Sequence, residues 1–169
     1  MSRGPDYESK RERSVIRIAP LRVSERSRWE ALWGEYQRFY GVQLPGTVTD
    51  LTWQRLHDGR IHGLGARDSA GSLVGIVHFL FHEDTWSTKQ ACYLQDLYVD
   101  PAARGTGCGA QLIAAVAAAA ESAGVSPPYW LTHESNAVAR HLYDRVAKNH
   151  GFIQYTYVPP EAGGLPAVD

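Results

Sequence analysis

Three alternating glycines follow an arginine at the start of an alanine-rich segment: Arg104, Gly105, Gly107 and Gly109. The pattern indicates a glycine-rich turn that opens a helix predicted over Thr106–Ala123. Glycine has no side chain, so backbone N–H groups at such a turn can approach a ligand closely. The first amides of a helix have no partner within it, and the helix dipole adds partial positive charge. The stretch therefore predicts a binding site for an anion, usually a phosphate.

Two other phosphate-binding patterns were compared with this stretch. Gly105, Gly107 and Ala110 also satisfy a relaxed dinucleotide-binding fingerprint. That fingerprint expects its first glycine directly after a strand and an acidic residue about 20 positions further on. Here a five-residue segment, Asp100–Arg104, follows the predicted strand, and the region around position 125 offers no acid before Glu134. A P-loop is excluded because no Gly-Lys-Ser/Thr follows. A plain glycine turn into a core helix stays open as the alternative without a ligand.

A second polar pattern lies on the next predicted helix, from Asn136 to about Asn149 with Ser135 as its N-cap. Asn136, Arg140 and Tyr143 are four and three residues apart, so they share one stripe of that helix. A tyrosine hydroxyl on such a stripe can donate a proton to a reacting group. The alternative is a core tyrosine whose hydroxyl is satisfied within the protein.

These two segments resemble the signatures of the GNAT superfamily of N-acetyltransferases. Arg104–Gly109 fits the acetyl-CoA motif Arg/Gln-x-x-Gly-x-Gly/Ala. The second signature, Asn-x-x-Ala-x-x-x-Tyr followed by Gly-Phe, is matched by Asn136, Ala139, Tyr143, Gly151 and Phe152. The resemblance covers roughly residues 14–158. It is closest to the polyamine and histone/polyamine branch.

The resemblance implies a mixed α/β fold: a central, mostly antiparallel twisted sheet with one splayed strand pair and helices on both faces. It also implies acetyl-CoA as the donor, direct transfer to an amine without a metal, and Tyr143 as the general acid beside the thioester sulfur. The implied donor-binding residues are the strand backbone at Leu97, Tyr98 and Val99; the glycine turn at Arg104, Gly105, Thr106, Gly107, Cys108, Gly109 and Ala110; and Asn136 and Ala139 on the helix.

The group that takes the proton from the amine is not evident in the sequence. The related branch typically reads Tyr-Leu-Glu-Asp in this strand, whereas the present chain has Gln95 at the glutamate position. A glutamine amide cannot carry a proton at neutral pH, although it can orient a water. Strand alternation predicts that Asp96 points to the face opposite Gln95. Further weak candidates lie elsewhere, at His82, Glu83, Asp84 and His133.

Aromatic residues at helical spacing are the candidates for acceptor recognition. Trp33, Tyr36 and Tyr40 belong to a helix predicted from a Ser24 cap to about Tyr40, and a loop of sequence HEDTW begins at His82. Aromatic faces can hold an ammonium by cation–π attraction. Plain core packing explains the helix equally well. We count Trp33, Tyr36, Tyr40, His82, Gln95 and His133 as the predicted acceptor-site residues.

Composition restricts the remaining possibilities. The chain has 169 residues, 44% of them hydrophobic, and a net charge of −1, as expected for one globular domain. It contains neither an apolar run long enough for a membrane span nor a secretory signal. The spacing of Cys92 and Cys108 matches neither a metal-binding nor a redox motif. Residues 1–28 hold eight basic and four acidic side chains, against nine and fourteen in residues 29–169. We therefore predict a cytoplasmic enzyme that binds neither nucleic acid nor membranes, with a disordered arm at 1–13, one domain at 14–158 and a loose tail at 159–169. The resemblance adds a homodimer.

The predicted elements that must position these groups alternate between strands and helices. A hairpin turns at Asp68–Gly71, where a short polar segment with glycine separates two apolar runs. The predicted strands are Ser14–Ile18, Ile61–Ala66, Leu73–Phe81, Cys92–Val99, Pro128–Thr132 and Phe152–Val158, and a short helix is predicted from an Asp50 cap through His57.

Overall fold

The computed structural model describes residues 15–159. They form two compact units that divide between Ser135 and Asn136. The predicted arm at 1–13 and residues 160–169 of the predicted tail lie outside the described residues, and a single domain over 14–158 stays a prediction. The elements are β1 Arg17–Pro20, a 3₁₀ turn Val23–Glu25, α1 Arg26–Phe39, α2 Gly46–His57, β2 His62–Arg67, β3 Leu73–His82, β4 Ala91–Val99, a 3₁₀ turn Pro101–Ala103, α3 Cys108–Ser122, β5 Pro128–Tyr129 and α4 Ala137–Val146.

The first unit is built on a five-stranded sheet with the order β1-β2-β3-β4-β5. The first four strands are antiparallel neighbours, and β5 runs parallel to β4. The predicted hairpin joins β2 and β3, with the Asp68 N–H donating to the Ser72 carbonyl at 3.0 Å. The predicted mixed α/β class with a mostly antiparallel sheet is therefore confirmed.

Helices cover both faces of this sheet. On one face Ile76 and Tyr98 join a core with Trp29, Leu32 and Trp33 of α1. On the other face Gly75 lies so close to α3 that a Cβ there would meet the Cys108 sulfur at 3.2 Å. Successive strand residues point to opposite faces, so neighbouring positions of β3 serve the two helix layers.

Three predicted boundaries near the start of the chain are wrong. The observed β1 ends at Pro20 rather than Ile18, where its pairing with Leu64 ends. Ser24 does not cap α1, because it lies inside the 3₁₀ turn that precedes the helix. The second helix begins at Gly46 rather than near Asp50, since Pro45 at its N-cap has a fixed φ and ends the preceding loop.

The C-terminal predictions differ more. The fifth strand is only Pro128–Tyr129, because its register with β4 ends there. The last predicted strand, Phe152–Val158, is wrong: residues 147–159 contain neither helix nor strand. Alternating apolar residues form a strand only where another strand accepts their backbone hydrogen bonds. No strand of the described residues pairs with this segment.

Candidate functional site

The predicted anion site lies at the N-terminus of α3. Gly105 and Gly107 have positive φ values of 78° and 84°, which L-residues with side chains rarely adopt. Gly107 is the N-cap, so the helix begins at Cys108 rather than at the predicted Thr106. Gln111 N–H makes the first helical bond, to the Gly107 carbonyl, and the helix provides no partner for the preceding amides. A Cβ on Gly105 would meet no atom within 4 Å, so open space lies beside this turn.

The side chains of this turn stabilise its backbone. Thr106 Oγ1 donates to the Ala103 carbonyl at 2.7 Å, and Arg104 Nε donates to the Val99 carbonyl at 3.1 Å. The Cys108 side chain is buried against the sheet, and burial raises the pKa of its thiol to about 11. Cys108 therefore can contribute its amide but not a thiolate nucleophile.

Charges at the mouth of this turn are balanced. Asp100 caps the preceding 3₁₀ turn through the Ala102 N–H and pairs with Arg28 at 2.5 Å. The Ala102 hydrogen bond, and then Arg28, hold the pKa of Asp100 below its ordinary value. The Arg104 guanidinium lies 5.7 Å from the centre of the Tyr98 ring. The arginines thus offset the negative charge of Asp100 next to a site suited to an anion.

Among the described residues, the strand that leads to this turn has no strand partner along part of one edge. Its pairing with β5 is restricted to Cys92 and Tyr93. Leu97, Tyr98 and Val99, the predicted donor-binding stretch, lie beyond that pairing and contact β3 on their other edge. In an antiparallel ladder, alternate residues direct N–H and C=O away from their partner strand. Because β5 ends at Tyr129, its pairing with β4 stops before the stretch that the resemblance expects to splay.

An aromatic pocket of about 410 Å³ lies beside α1. Its lining includes three predicted acceptor residues, Trp33, Tyr36 and Tyr40, together with Gln37, Val42 and Leu44. The rings of Trp33 and Tyr36 stack at 5.4 Å, and Tyr40 meets Tyr36 edge-on at 5.1 Å. Core packing holds for Trp29 and Trp33, which are buried, whereas Tyr40 is 43% exposed. Acceptor recognition by this helix stays a prediction.

The pocket wall is almost wholly apolar. The Gln37 side-chain oxygen accepts a hydrogen bond from the Leu44 N–H at 2.9 Å, so this polar group is already used by the protein. Trp33 Nε1 is buried and has no hydrogen-bond partner among residues 15–159. The Glu35 carboxylate is engaged next to the pocket, where it accepts from the Tyr98 hydroxyl at 2.8 Å.

Three polar side chains behind this pocket form a hydrogen-bonded series that the sequence did not predict. Trp29 Nε1 and His78 Nε2 are 2.9 Å apart, and His78 Nδ1 is 3.0 Å from Asp96 Oδ2. His78 is 1% exposed, and its ring lies 5.3 Å from that of Trp33 in the pocket wall. The sequence signal is a histidine inside a strongly apolar strand.

A β-bulge explains why strict alternation failed at Asp96. Phe79 pairs with Leu94 and the adjacent His78 pairs with Asp96, so Gln95 is an extra residue in β4. A bulge of this kind reverses the faces of the residues that follow it. Asp96 therefore shares the α1 face with His78 rather than lying on the face of Leu94.

The other predicted acceptor residues do not line the aromatic pocket. His82 Nε2 is 3.0 Å from the Tyr129 hydroxyl and links the end of β3 to β5. Gln95 is exposed on the bulge, and His133 Nδ1 contacts the Ser135 hydroxyl at 2.7 Å in the loop after β5.

Burial raises the pKa of Tyr93, with smaller contributions from Tyr129 and the Asp96 charge, so its hydroxyl stays protonated.

The second unit contains the other predicted motif. Asn136, not Ser135, caps α4, where its side chain accepts from the Ala139 N–H at 3.4 Å. The helix ends at Val146 rather than near Asn149. Asn136, Ala139 and Tyr143 are all partly buried and follow one another at helical spacing. Of the predicted stripe, Asn136 and Tyr143 are partly buried, whereas Arg140 is exposed.

Within residues 15–159, no three His, Cys, Asp or Glu side chains are grouped as metal ligands. Over the same residues, every helix is too short or too polar to span a bilayer.

Known proteins resemble this chain in sequence and structure. The sequence model of the Acetyltransferase (GNAT) family matches residues 28–152. The D-amino-acid N-acetyltransferase HPA3 of Saccharomyces cerevisiae is 33% identical over 143 residues, covering 83% of this chain and 89% of the yeast protein.

Two solved structures illustrate the similarity of the fold. A ribosomal-protein-alanine N-acetyltransferase from Brucella melitensis biovar Abortus 2308 has a TM-score of 0.73 at 24% identity, over 85% of this chain and 99% of that one. An aminoglycoside acetyltransferase from an uncultured soil metagenomic sample has a TM-score of 0.69 at 18% identity, over 86% of this chain and 97% of that one. Identities this low concern the fold alone.

Proposed function

Because the chain belongs to the GNAT family of acetyltransferases, we propose that it transfers the acetyl group of acetyl-CoA directly to a primary amine within a ternary complex. The single observation that carries this proposal is the glycine turn at the mouth of α3, beside the open edge of β4. This arrangement suits a donor with a phosphate-rich end and an extended arm.

The residues present fit coenzyme A. The positive φ values of Gly105 and Gly107 and the open space beside Gly105 leave the first amides of α3 accessible to a pyrophosphate. The backbone at Leu97–Val99 would hold the pantetheine arm and polarise the acetyl carbonyl. The remaining proposed contacts are Arg104, Thr106, Cys108, Gly109 and Ala110 around the pyrophosphate, and Asn136 and Ala139 along the arm.

The chemistry requires two proton movements. A neutral amine must attack the acetyl carbonyl, yet alkyl amines have a pKa near 10.4 in water, so a proton must leave the nitrogen. The departing thiolate must gain a proton, and we assign this role to the Tyr143 hydroxyl. Acetyl-CoA supplies the thioester, and no covalent intermediate on the protein is required. The buried Cys108 thiol, with its raised pKa, agrees with direct transfer.

The pocket favours an acceptor with an apolar group near its amine. Aromatic rings and aliphatic side chains line the pocket, and its glutamine amide is engaged by the main chain. The second ammonium of a polyamine would gain little from such a wall beyond cation–π attraction. Since the yeast relative is named for D-amino acids, apolar D- and L-amino acids are the first acceptors to test. His82, Gln95 and His133 would contact only a larger acceptor.

Other possibilities differ in acceptor or in chemistry. The acceptor could be a peptide N-terminus or a protein lysine, which requires the same donor site. A domain that binds acyl-CoA without transferring it would also retain the glycine turn. We propose a cytoplasmic homodimer, as in many family members.

Thiol release from acetyl-CoA tests the proposal directly. The panel would contain D- and L-phenylalanine, D-leucine, benzylamine, spermidine, a lysine peptide and an aminoglycoside. We expect Tyr143→Phe to lower kcat about 10²-fold or more while coenzyme A still binds, since general acid catalysis is typically worth this much. Tyr157→Phe, at an exposed tyrosine, is the matched control. A wild-type protein that binds acetyl-CoA but acetylates no panel amine would instead be an acyl-CoA-binding module.

A further inference from the structure

The two hydrogen bonds that link Trp29, His78 and Asp96 have a defined donor-to-acceptor direction. An indole N–H can only donate, so Trp29 Nε1 donates to His78 Nε2 over 2.9 Å. The ring proton of His78 is then on Nδ1, from where it is donated to Asp96 Oδ2 over 3.0 Å. Both ring nitrogens are thereby committed, and the imidazole holds one carboxylate oxygen in a fixed position. Pairing of both ring nitrogens makes the imidazole and the carboxylate oxygen that it contacts rigid.

Of these three hydrogen-bonded residues, only Asp96 has an appreciable solvent exposure. Its side chain is 13% exposed, against 2% for His78. His78 is its hydrogen-bond partner among residues 15–159, which leaves Oδ1 for a ligand. The bulge at Gln95 aims this carboxylate at the α1 face, and Trp33 joins the aromatic pocket to the His78 ring. Bulges frequently re-aim a side chain next to an active site.

From this geometry we propose that Asp96 is the catalytic base that takes the proton from the acceptor nitrogen, and that His78 and Trp29 are positioning residues for its carboxylate. This inference rests on the proposed acetyl transfer and assigns the role that Gln95 cannot fill. The aromatic pocket would receive the apolar part of the same acceptor.

The proton balance is consistent with a carboxylate in this role. The ammonium of the free acceptor first loses one proton to solvent. As the neutral nitrogen forms its bond to the acetyl carbon, it becomes cationic, and its remaining protons become acidic enough for a carboxylate. Asp96 takes one of these protons while the carbon–sulfur bond breaks and the thiolate is protonated by Tyr143. The two side chains return to their starting states by proton exchange with solvent, and the products are an amide and a thiol.

Steady-state kinetics with acetyl-CoA and the fastest amine of the panel test this assignment. Asp96→Asn keeps an oxygen that can accept from His78 but removes the base. We expect kcat to fall about 10²-fold or more, with the KM for acetyl-CoA and the melting temperature unchanged. Asp58→Asn is the matched control, because Asp58 forms an exposed pair with Arg60 on the surface. Asp96→Glu, which keeps the carboxylate, should recover part of the lost rate.

Two substitutions of His78 separate positioning from packing. In His78→Asn the amide nitrogen occupies the place of Nδ1 and still donates to Asp96, whereas His78→Gln places its amide near Nε2 and loses that donor. We expect His78→Asn to stay within several-fold of wild type and His78→Gln to lose about 10- to 100-fold in kcat, since small misplacements are costly. Equal effects of the two substitutions would indicate packing alone and refute the positioning role.

The outcomes distinguish this inference from the proposed function. A wild-type protein that is active while Asp96→Asn stays within about threefold of it refutes the base, and leaves acetyl transfer intact. Absence of thiol release with every panel amine refutes both. If Asp96→Asn does not fold, the comparison of His78→Asn with His78→Gln decides whether the hydrogen bond to Asp96 supports catalysis. Both substitutions keep a polar group in the buried position.

Discussion

A buried ion pair joins the segment before α1 to the second strand. Arg67 is 4% exposed and Glu25 is 14% exposed. Arg67 Nε and Nη2 donate to the two Glu25 oxygens at 2.7 and 2.6 Å, a bidentate arrangement. The remaining guanidinium donors reach the carbonyl oxygens of Ala19, Pro20 and Gly65. Every N–H of this guanidinium therefore has a partner.

We expect Glu25→Gln to destabilise the protein. The substitution removes the negative charge and turns an amide NH₂ towards guanidinium donors. Breaking a buried pair by removing one partner typically costs about 3–5 kcal/mol. Because Arg67 keeps its three carbonyl contacts, we expect the lower end, about 3 kcal/mol, which corresponds to a fall of roughly 6–12 °C in melting temperature for a chain of this size. Thermal and urea unfolding, followed by circular dichroism, would measure the change.

The pH dependence provides a second test of the same pair. Burial alone would raise the pKa of Glu25, but the hydrogen bonds from Arg67, and then from the Arg22 N–H, lower it below its ordinary 4.5. A lowered pKa in the folded state stabilises the protein above the ordinary value, and this contribution is lost as the pH falls through the lowered one. The difference between wild type and Glu25→Gln should thus be full at pH 7 and shrink below about pH 4.

An exposed pair is the appropriate control for this reasoning. Asp58→Asn removes a surface partner of Arg60, so it should leave the melting temperature nearly unchanged. A loss of less than about 1 kcal/mol in Glu25→Gln would show that water compensates Arg67 and that the burial argument is wrong.

Two further predictions concern the glycine turn and the thiols. Gly107→Ala and Gly71→Ala place a side chain at nearly the same positive φ, 84° and 85°. Each should lose about 1–2 kcal/mol of stability. Only Gly107→Ala should also weaken coenzyme A binding, as measured by calorimetry. Equal coenzyme A affinities for the two variants would refute the pyrophosphate site. Burial raises the pKa of both Cys92 and Cys108 to about 11, so a disulfide reagent at pH 8 should label neither thiol until urea unfolds the protein. Rapid labelling of the folded protein would contradict this.

Much of the first unit could be predicted from local signals. The turn at Asp68–Gly71 and the alternation on either side of it define the β2–β3 hairpin, and Gly124 ends α3 as expected. The predicted start of α2 is wrong although Pro45 is a local signal, whereas the predicted last strand depends on distant partners. The segment 152–158 has the alternation of a strand, but alternation cannot indicate whether another strand is present to pair with it.

In the candidate site as well, one part has a local sequence signal and the other depends on distant contacts. The proposed donor site is encoded by consecutive residues, because the glycines and the amides they uncover belong to one turn, and its motif can be recognised within a few residues. The proposed base depends on contacts over 49 residues, from Trp29 to His78, and over 18, from His78 to Asp96. Neither spacing is a recognisable motif.

The bulge at Gln95 determines how the proposed base is oriented. Strict alternation predicts that Asp96 lies on the face of Leu94, away from α1, and no residue type in Tyr93–Val99 signals an extra residue in the strand. The observed register instead directs Asp96 towards His78. A chain with glutamine at the expected glutamate position can therefore still present a carboxylate to the acceptor. In the proposed mechanism the adjacent aspartate presents it, because one inserted residue changes the face of the strand on which this aspartate lies.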